Sequence, residues 1–233
     1  MKKIYTLILT LILSFSLTGC SKADKDIALD FFDAFNTTLN ADSGTFIGEI
    51  SSQSNVESKF FFEIFVSQKN DINLTANIDL EADGNREDDF INFFIRDGKT
   101  YLNAMGVKSQ SLAANIGIEK DEKLNVFNPF LSYSNDELIK MFERTEKKDN
   151  KYIMELNKHS IEVLFDAMGS ISLNEARIEA IEKDGHFTSL DMKISGIQKI
   201  NDEKANIHLN IHIEIKDFNT LSEVPFPSDL ESY

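Results

Sequence analysis

Residues 205–215 read Ala-Asn-Ile-His-Leu-Asn-Ile-His-Ile-Glu-Ile. Ala205, Ile207, Leu209, Ile211, Ile213 and Ile215 alternate with polar residues, and Lys216 extends the polar set. A second run, 72–82, has the same form: Ile72, Leu74, Ala76, Ile78, Leu80 and Ala82 alternate with Asn73, Thr75, Asn77, Asp79 and Glu81. Period two places one set of side chains on each face of a strand. Runs this long predict antiparallel strands with one buried and one solvated face.

Working outward, Lys59–Val66 carries Phe60, Phe62, Ile64 and Val66 on one face and Phe61 and Phe65 on the other, the pattern of a strand covered on both sides. Phe90–Ile95 and Thr100–Met105 flank Arg96-Asp97-Gly98-Lys99, a hairpin signal. Residues 83–89 read as an acidic turn. Residues 151–156, 175–183 and 187–196 read as strands, the last two joined at Asp184-Gly185. Helices are fewer. Ile27, Phe31, Phe35 and Leu39 predict one over 24–40 with Asp24 as N-cap. Residues 109–118 suggest a short one. Ser134 with Glu137 three later is a capping-box signature for a helix running to about Lys147. Ile161, Leu164, Phe165 and Met168 give helical spacing, with Gly169 just beyond. Pro225 and Pro227 are expected to end the ordered chain. The resulting fold class is α+β: a single strongly curved antiparallel sheet, a half-open β-barrel, with a few helices covering its concave face.

The N-terminus has the form of a leader. Lys2 and Lys3 precede an uncharged stretch from Ile4 to Leu17, followed by Leu17-Thr18-Gly19-Cys20. The apolar run is shorter than the ~20 residues a permanent membrane helix needs. Cys20 is the single cysteine of the 233 residues, so disulfides are excluded. The division expected is a signal peptide over 1–19, a modified cysteine and tether over 20–23, and one domain over 24–233. The net charge is −15, and two units lower without Lys2 and Lys3. Such a balance disfavours nucleic acid and anionic lipid surfaces as partners.

No catalytic constellation emerges. His208 and His212 share a strand face but stand about 13 Å apart at strand rise, too far to hold one metal. No nucleophile elbow, His-Glu-x-x-His or phosphate-cradling glycine loop is present. Asp79-x-Glu81-x-Asp83-Gly84-Asn85 approaches a calcium-loop start, but position twelve is Phe90 instead of glutamate. An enzyme, a cofactor and a metal are therefore not expected. What stands out is aromatic surplus: 19 Phe and no Trp. Phe31, Phe35, Phe60, Phe62, Phe94, Phe142, Phe165 and Met168 are assigned to inward faces, where they either fill a core or line a cavity for a hydrophobic ligand.

Leu17-Thr18-Gly19-Cys20 resembles the lipobox of bacterial lipoproteins. That resemblance implies a diacylated Cys20 and anchorage by lipid on the outer side of the cytoplasmic membrane, or in the periplasm or outer membrane of a Gram-negative cell. Together with the short tether into the first helix, the strand pair over 94–102 and the closing strand 205–215 before Val224-Pro225, it resembles the LolA/LppX-like superfamily of bacterial lipid and lipoprotein carriers. That family implies a half-open barrel plugged by helices and a hydrophobic ligand, lipid or lipoprotein acyl chain, held there. A monomer is expected, with no motif in the sequence that sets the oligomeric state. The alternative is a non-enzymatic surface module that binds a protein partner through its sheet edge or its acidic face.

Overall fold

The computed structural model describes residues 23–53, 57–119, 123–159, 170–200 and 203–233. Helix α1 (Lys25–Leu39) leads into β1 (Ser43–Gln53), β2 (Glu57–Ser67), β3 (Asn73–Ala82), β4 (Asn85–Arg96), β5 (Lys99–Ala104) and β6 (Val107–Leu112). Helix α2 (Asn135–Lys140) is followed by β7 (Phe142–Lys148), β8 (Lys151–Leu156), β9 (Ser170–Lys183), β10 (His186–Ile200) and β11 (Glu203–Lys216).

All eleven strands form one antiparallel sheet in the order β6-β5-β4-β3-β2-β1-β11-β10-β9-β8-β7. Two meanders are thus joined where β1 pairs with β11, Ile50 opposite Ile211 and Phe46 opposite Ile215. The sheet does not close on itself, which leaves β6 and β7 as its two edges and makes the architecture a half-open barrel. Three hairpins turn on Asp83-Gly84, Asp97-Gly98 and Asp184-Gly185, with positive φ at both residues of each. That is the two-residue turn whose twist matches paired strands.

The two alternating runs put their apolar residues on the same face. Helix α1 lies on that inner face over the second meander. The Asp24 carboxylate caps it by accepting from the Asp26 and Ile27 amides. Its Ala28, Phe31, Phe32 and Ala34 are buried with Phe142, Tyr152, Met154 and Phe187. Over the first meander the cover is smaller: Ala113 and Ile118, at either end of a 3-10 turn (Ala113–Ile116), close over Val66, Ile72, Leu74, Ala76 and Ile95. The outer face is mostly polar, and residues 217–233 run across it, covering its Phe94 and Tyr101. The Thr75 hydroxyl donates to the Pro225 carbonyl at 2.5 Å, Lys108 pairs with Asp229 at 2.7 Å, and Leu230 is buried with Phe94 and Tyr101.

Four local expectations are corrected. Residues 109–118 are the end of β6 and a 3-10 turn, not a helix. β6 (Val-Lys-Ser-Gln-Ser-Leu) is exposed throughout, so it has no apolar face for alternation to reveal. The capping box at Ser134 and Glu137 forms, but α2 stops at Lys140 because Met141 and Phe142 are drawn into the core beneath α1 and the chain continues as β7. The acidic turn is only Asp83-Gly84, and Asn85–Asp89 belong to β4. The chain stays ordered beyond Pro227, through a 3-10 turn at Leu230–Ser232, because Leu230 and Tyr233 pack on the outer face. Residues 160–169, with the helix expected there, lie outside the described residues.

Candidate functional site

One register row crosses the whole sheet on its inner face. From β6 to β7 it reads Val107, Ala104, Ile91, Ile78, Phe62, Gly48, Ile213, Leu190, Ala180, Tyr152, Lys147. Directly opposed residues of antiparallel strands point to the same side, so the row is a continuous band of side chains. At its β7 end it is covered by α1 and closed by polar groups. Lys147 donates to the Tyr152 hydroxyl at 2.6 Å and pairs with Glu182 at 3.3 Å. Burial pushes the Tyr152 phenol upward, its hydrogen bond to that hydroxyl raises the Lys147 ammonium, and the Gly185 amide holds the Glu182 carboxyl below its ordinary value.

At its centre, between the α1 core and the 3-10 turn, the row is open among the described residues. Phe46 and Ile50 of β1, Phe60, Phe62 and Ile64 of β2, Ile78 of β3, Ile91 of β4 and Ile213 of β11 line a groove of about 490 Å³. Every lining side chain is apolar. Ligand pockets usually pair an apolar wall with a few polar groups that fix orientation. Among the described residues this one offers no hydrogen-bonding side chain in its wall. A larger crevice of about 640 Å³ lies under the C-terminal segment, but it is a seam between that segment and the outer face, with Asn73, Arg96, Glu223 and Glu231 in its wall.

The sequence-derived candidates separate into distinct places. Phe60 and Phe62 lie in the groove. Phe31 of α1 is buried against Phe142 of β7, ring centroids 5.7 Å apart, and the half-buried Phe35 packs on Phe130 at 6.0 Å. Phe94 is on the other side of the sheet, paired in register with Tyr101 and covered by Tyr233 at 5.7 Å. Its neighbour Phe93 faces inward instead, and two adjacent Phe in one strand leave the choice of face undecided until register is known. Phe165, Met168 and Cys20 lie outside the described residues. The groove residues not singled out from sequence are Phe46, Ile50, Ile64, Ile78, Ile91 and Ile213. Ile78 and Ile213 stand in the two alternating runs, where the signal was present but the pairing was not.

Apart from the Lys147 group, the polar clusters considered for chemistry lie on the outer face. His212 Nδ1 meets Asp191 at 2.7 Å, Lys216 pairs with Glu214 at 2.8 Å, and His208 is four residues away along the same strand. At the acidic hairpin the Arg86 guanidinium stands between Asp79 (2.7 Å) and Asp88 (2.8 Å), where a calcium ion would need those oxygens. Among the described residues no three His, Cys, Asp or Glu are disposed to hold a metal, and no helix is long and apolar enough to cross a membrane.

No protein-family model matches the sequence, and no curated protein does. Among solved structures, the chain is similar to LprF from Mycobacterium bovis, with a TM-score of 0.45 and 10% identity over 89% of this chain and 99% of that one. It is also similar to a LolA superfamily protein from Nitrosomonas europaea, with a TM-score of 0.30 and 10% identity over 84% of this chain and 93% of that one. A third likeness is a beta-barrel-like protein of a domain of unknown function from Brucella abortus, with a TM-score of 0.19, 8% identity and 77% and 100% coverage.

Proposed function

We propose that this chain is a lipid-anchored envelope protein that binds or carries a hydrophobic ligand, a lipid or the acyl chain of a lipoprotein, in the groove centred on Phe62. The supporting observation is the groove itself: a wholly apolar recess on the inner face of the sheet, between the core under α1 and the cluster under the 3-10 turn. Binding is by burial. Each methylene moved from water contributes ~0.8 kcal/mol, so ten of them supply about 8 kcal/mol, near micromolar affinity before ordering costs. Cys20 is the proposed acylation site, and two acyl chains anchor stably where one does not. Four residues, Ser21 to Asp24, separate Cys20 from α1, a tether short enough to keep the domain near the bilayer.

The test is native mass spectrometry of the purified protein with lipid extraction, alongside displacement of a fluorescent fatty acid. A co-purifying lipid and a displaceable probe, both lost in Phe62→Asp, are expected. A protein that holds neither overturns the reading. Cys20→Ser is expected to abolish labelling by a palmitate analogue and release the chain from membranes.

A further inference from the structure

The apolar row has two unlike ends. Beyond Ile213 it runs under α1 and stops at Lys147, Tyr152 and Glu182, where hydrocarbon could pass only by breaking a charged contact. Beyond Ile91 it continues over Ala104 to Val107. The neighbouring inner row, Ile64, Ala76, Phe93 and Leu102, reaches the same corner. Here large apolar side chains are left uncovered by the described residues: Leu102 is 36% exposed, Met105 66% and Val107 72%.

The turn at this corner is built against local preference. The turns at Asp83-Gly84, Asp97-Gly98 and Asp184-Gly185 place Asp in the left-handed region, and the β5–β6 turn places Met105 there, at φ 50°, before Gly106. Asp and Asn tolerate that conformation by local hydrogen bonding, and Met does not. Exposed as it is, Met105 recovers no burial in return. Strain kept at an exposed apolar tip points to a surface that something apolar meets, and a flexible thioether side chain adapts to varied hydrocarbon.

Dimensions separate holding a chain from admitting one. Neighbouring strands are ~4.8 Å apart, so the groove, from Ile213 of β11 to Ile91 of β4, spans ~19 Å. A bilayer core of ~30 Å houses two acyl chains end to end, so one chain reaches ~15 Å. The groove takes that length without β5 and β6. The further ~10 Å from Ile91 to Val107 is not needed to hold a chain and is placed to pass one.

We infer that the corner formed by Leu102, Met105 and Val107 is the entry to the groove: a hydrocarbon chain comes in laterally over the inner face of β5 and β6 and leaves the same way. The inference rests on the carrier reading of the groove and adds its direction of loading. Each step keeps the chain on apolar surface, so the corner lowers the barrier to exchange without adding to the affinity of the seated chain.

Stopped-flow uptake of a fluorescent fatty acid by the purified full-length protein tests it, read against equilibrium displacement of the same probe. Val107→Lys and Met105→Asn are each expected to slow uptake and release together, at least several-fold, and to leave the displacement affinity unchanged. Lysine attracts the carboxylate of the probe, so slower uptake in Val107→Lys is not charge repulsion. Asparagine suits the left-handed turn, so Met105→Asn should melt no lower than the unsubstituted protein. Leu112→Lys is the control: it stands on the same strand and is exposed, but it lies opposite Lys99 on the outer face, and it should load normally. Normal uptake in both Val107→Lys and Met105→Asn, with displacement intact, overturns the entry and leaves the groove standing. Equal slowing in Leu112→Lys overturns it too, as does affinity lost at an unchanged uptake rate, which would make the corner part of the seat. An unsubstituted protein that neither takes up nor displaces the probe refutes the groove, and the entry with it.

Discussion

The ring of Phe62 lies across Gly48: its Cζ is 2.7 Å from where a β-carbon on Gly48 would stand, and the His212 carbonyl of β11 is closer still. The row of large side chains therefore bends over a point with no side chain, at the strand that joins the two meanders. Glycine in a strand interior marks such close approach, and curved sheets are built around it. Gly48→Ala is expected to cost about 1–3 kcal/mol as overpacking. Gly44→Ala, on the same strand with only ordinary contacts at 3.5 Å and beyond, should be neutral or slightly stabilising. Thermal unfolding by circular dichroism separates the two. Equal effects would sink this account of Gly48.

Phe31 and Phe62 look alike in sequence and differ in role. Phe31 is 3% exposed and packs on Phe32, Phe142, Tyr152 and Phe187. Phe31→Ala should cost about 3–5 kcal/mol and lower the melting temperature by roughly 10 °C. Phe62 stands in an open groove, so Phe62→Asp should move melting by only a few degrees while abolishing fatty-acid displacement. A Phe31 variant that melts normally, or a Phe62 variant that unfolds, would reverse the assignment of core and groove.

The central strands were legible because one face is buried and the other wet. Periodicity in 72–82 and 205–215 records that directly, as the Asp-Gly pairs record their hairpins. The edges were not. β6 buries neither face, so its residues carry no pattern. β7 reads as helix because Ser134 and Glu137 make a genuine cap and the charged run after Lys140 suits either state. The groove was half legible. Phe60 and Phe62 were assignable to a face, but Phe46, Ile91 and Ile213 join them only through register, which depends on contacts distant in sequence. Phe94 shows the same limit from the other side: its cover comes from Tyr233 and Leu230, over a hundred residues later.

Gln68 ties three segments together. Its side-chain amide donates to the Leu39 and Ala41 carbonyls at 2.9 and 2.5 Å, and its carbonyl accepts from the Leu124 amide at 2.7 Å. It is 1% exposed. Gln68→Leu keeps the volume but leaves buried backbone groups unpaired, at about 1–3 kcal/mol for each. A loss of several degrees in melting is expected, with faster hydrogen exchange at Ala41 and Leu124. Unchanged exchange at both would show that water replaces the amide.

The C-terminal segment has a pH window set by Lys108 and Asp229. Its hydrogen bond to Lys108 holds the Asp229 carboxyl below its ordinary value of 3.8, and the same bond raises the Lys108 ammonium above 10.5. A depressed carboxyl contributes stability that is complete above the ordinary value and is lost as pH falls through the folded one. A raised ammonium contributes stability that is complete below its ordinary value and is lost as pH rises through the folded one. The contact is thus intact across neutral pH and fails at both extremes. The alkaline limb is shared with Tyr101, whose buried phenol is raised too and donates to Glu231 at 3.2 Å. Hydrogen exchange at Leu230 and Tyr233, corrected for intrinsic rates, should be slowest near neutrality and accelerate below about pH 4. Asp229→Asn should raise neutral exchange and flatten the acid limb while leaving the Tyr101 contribution at high pH. An acid limb that persists unchanged in Asp229→Asn would assign it to other carboxylates and leave Lys108 without a part in holding the segment.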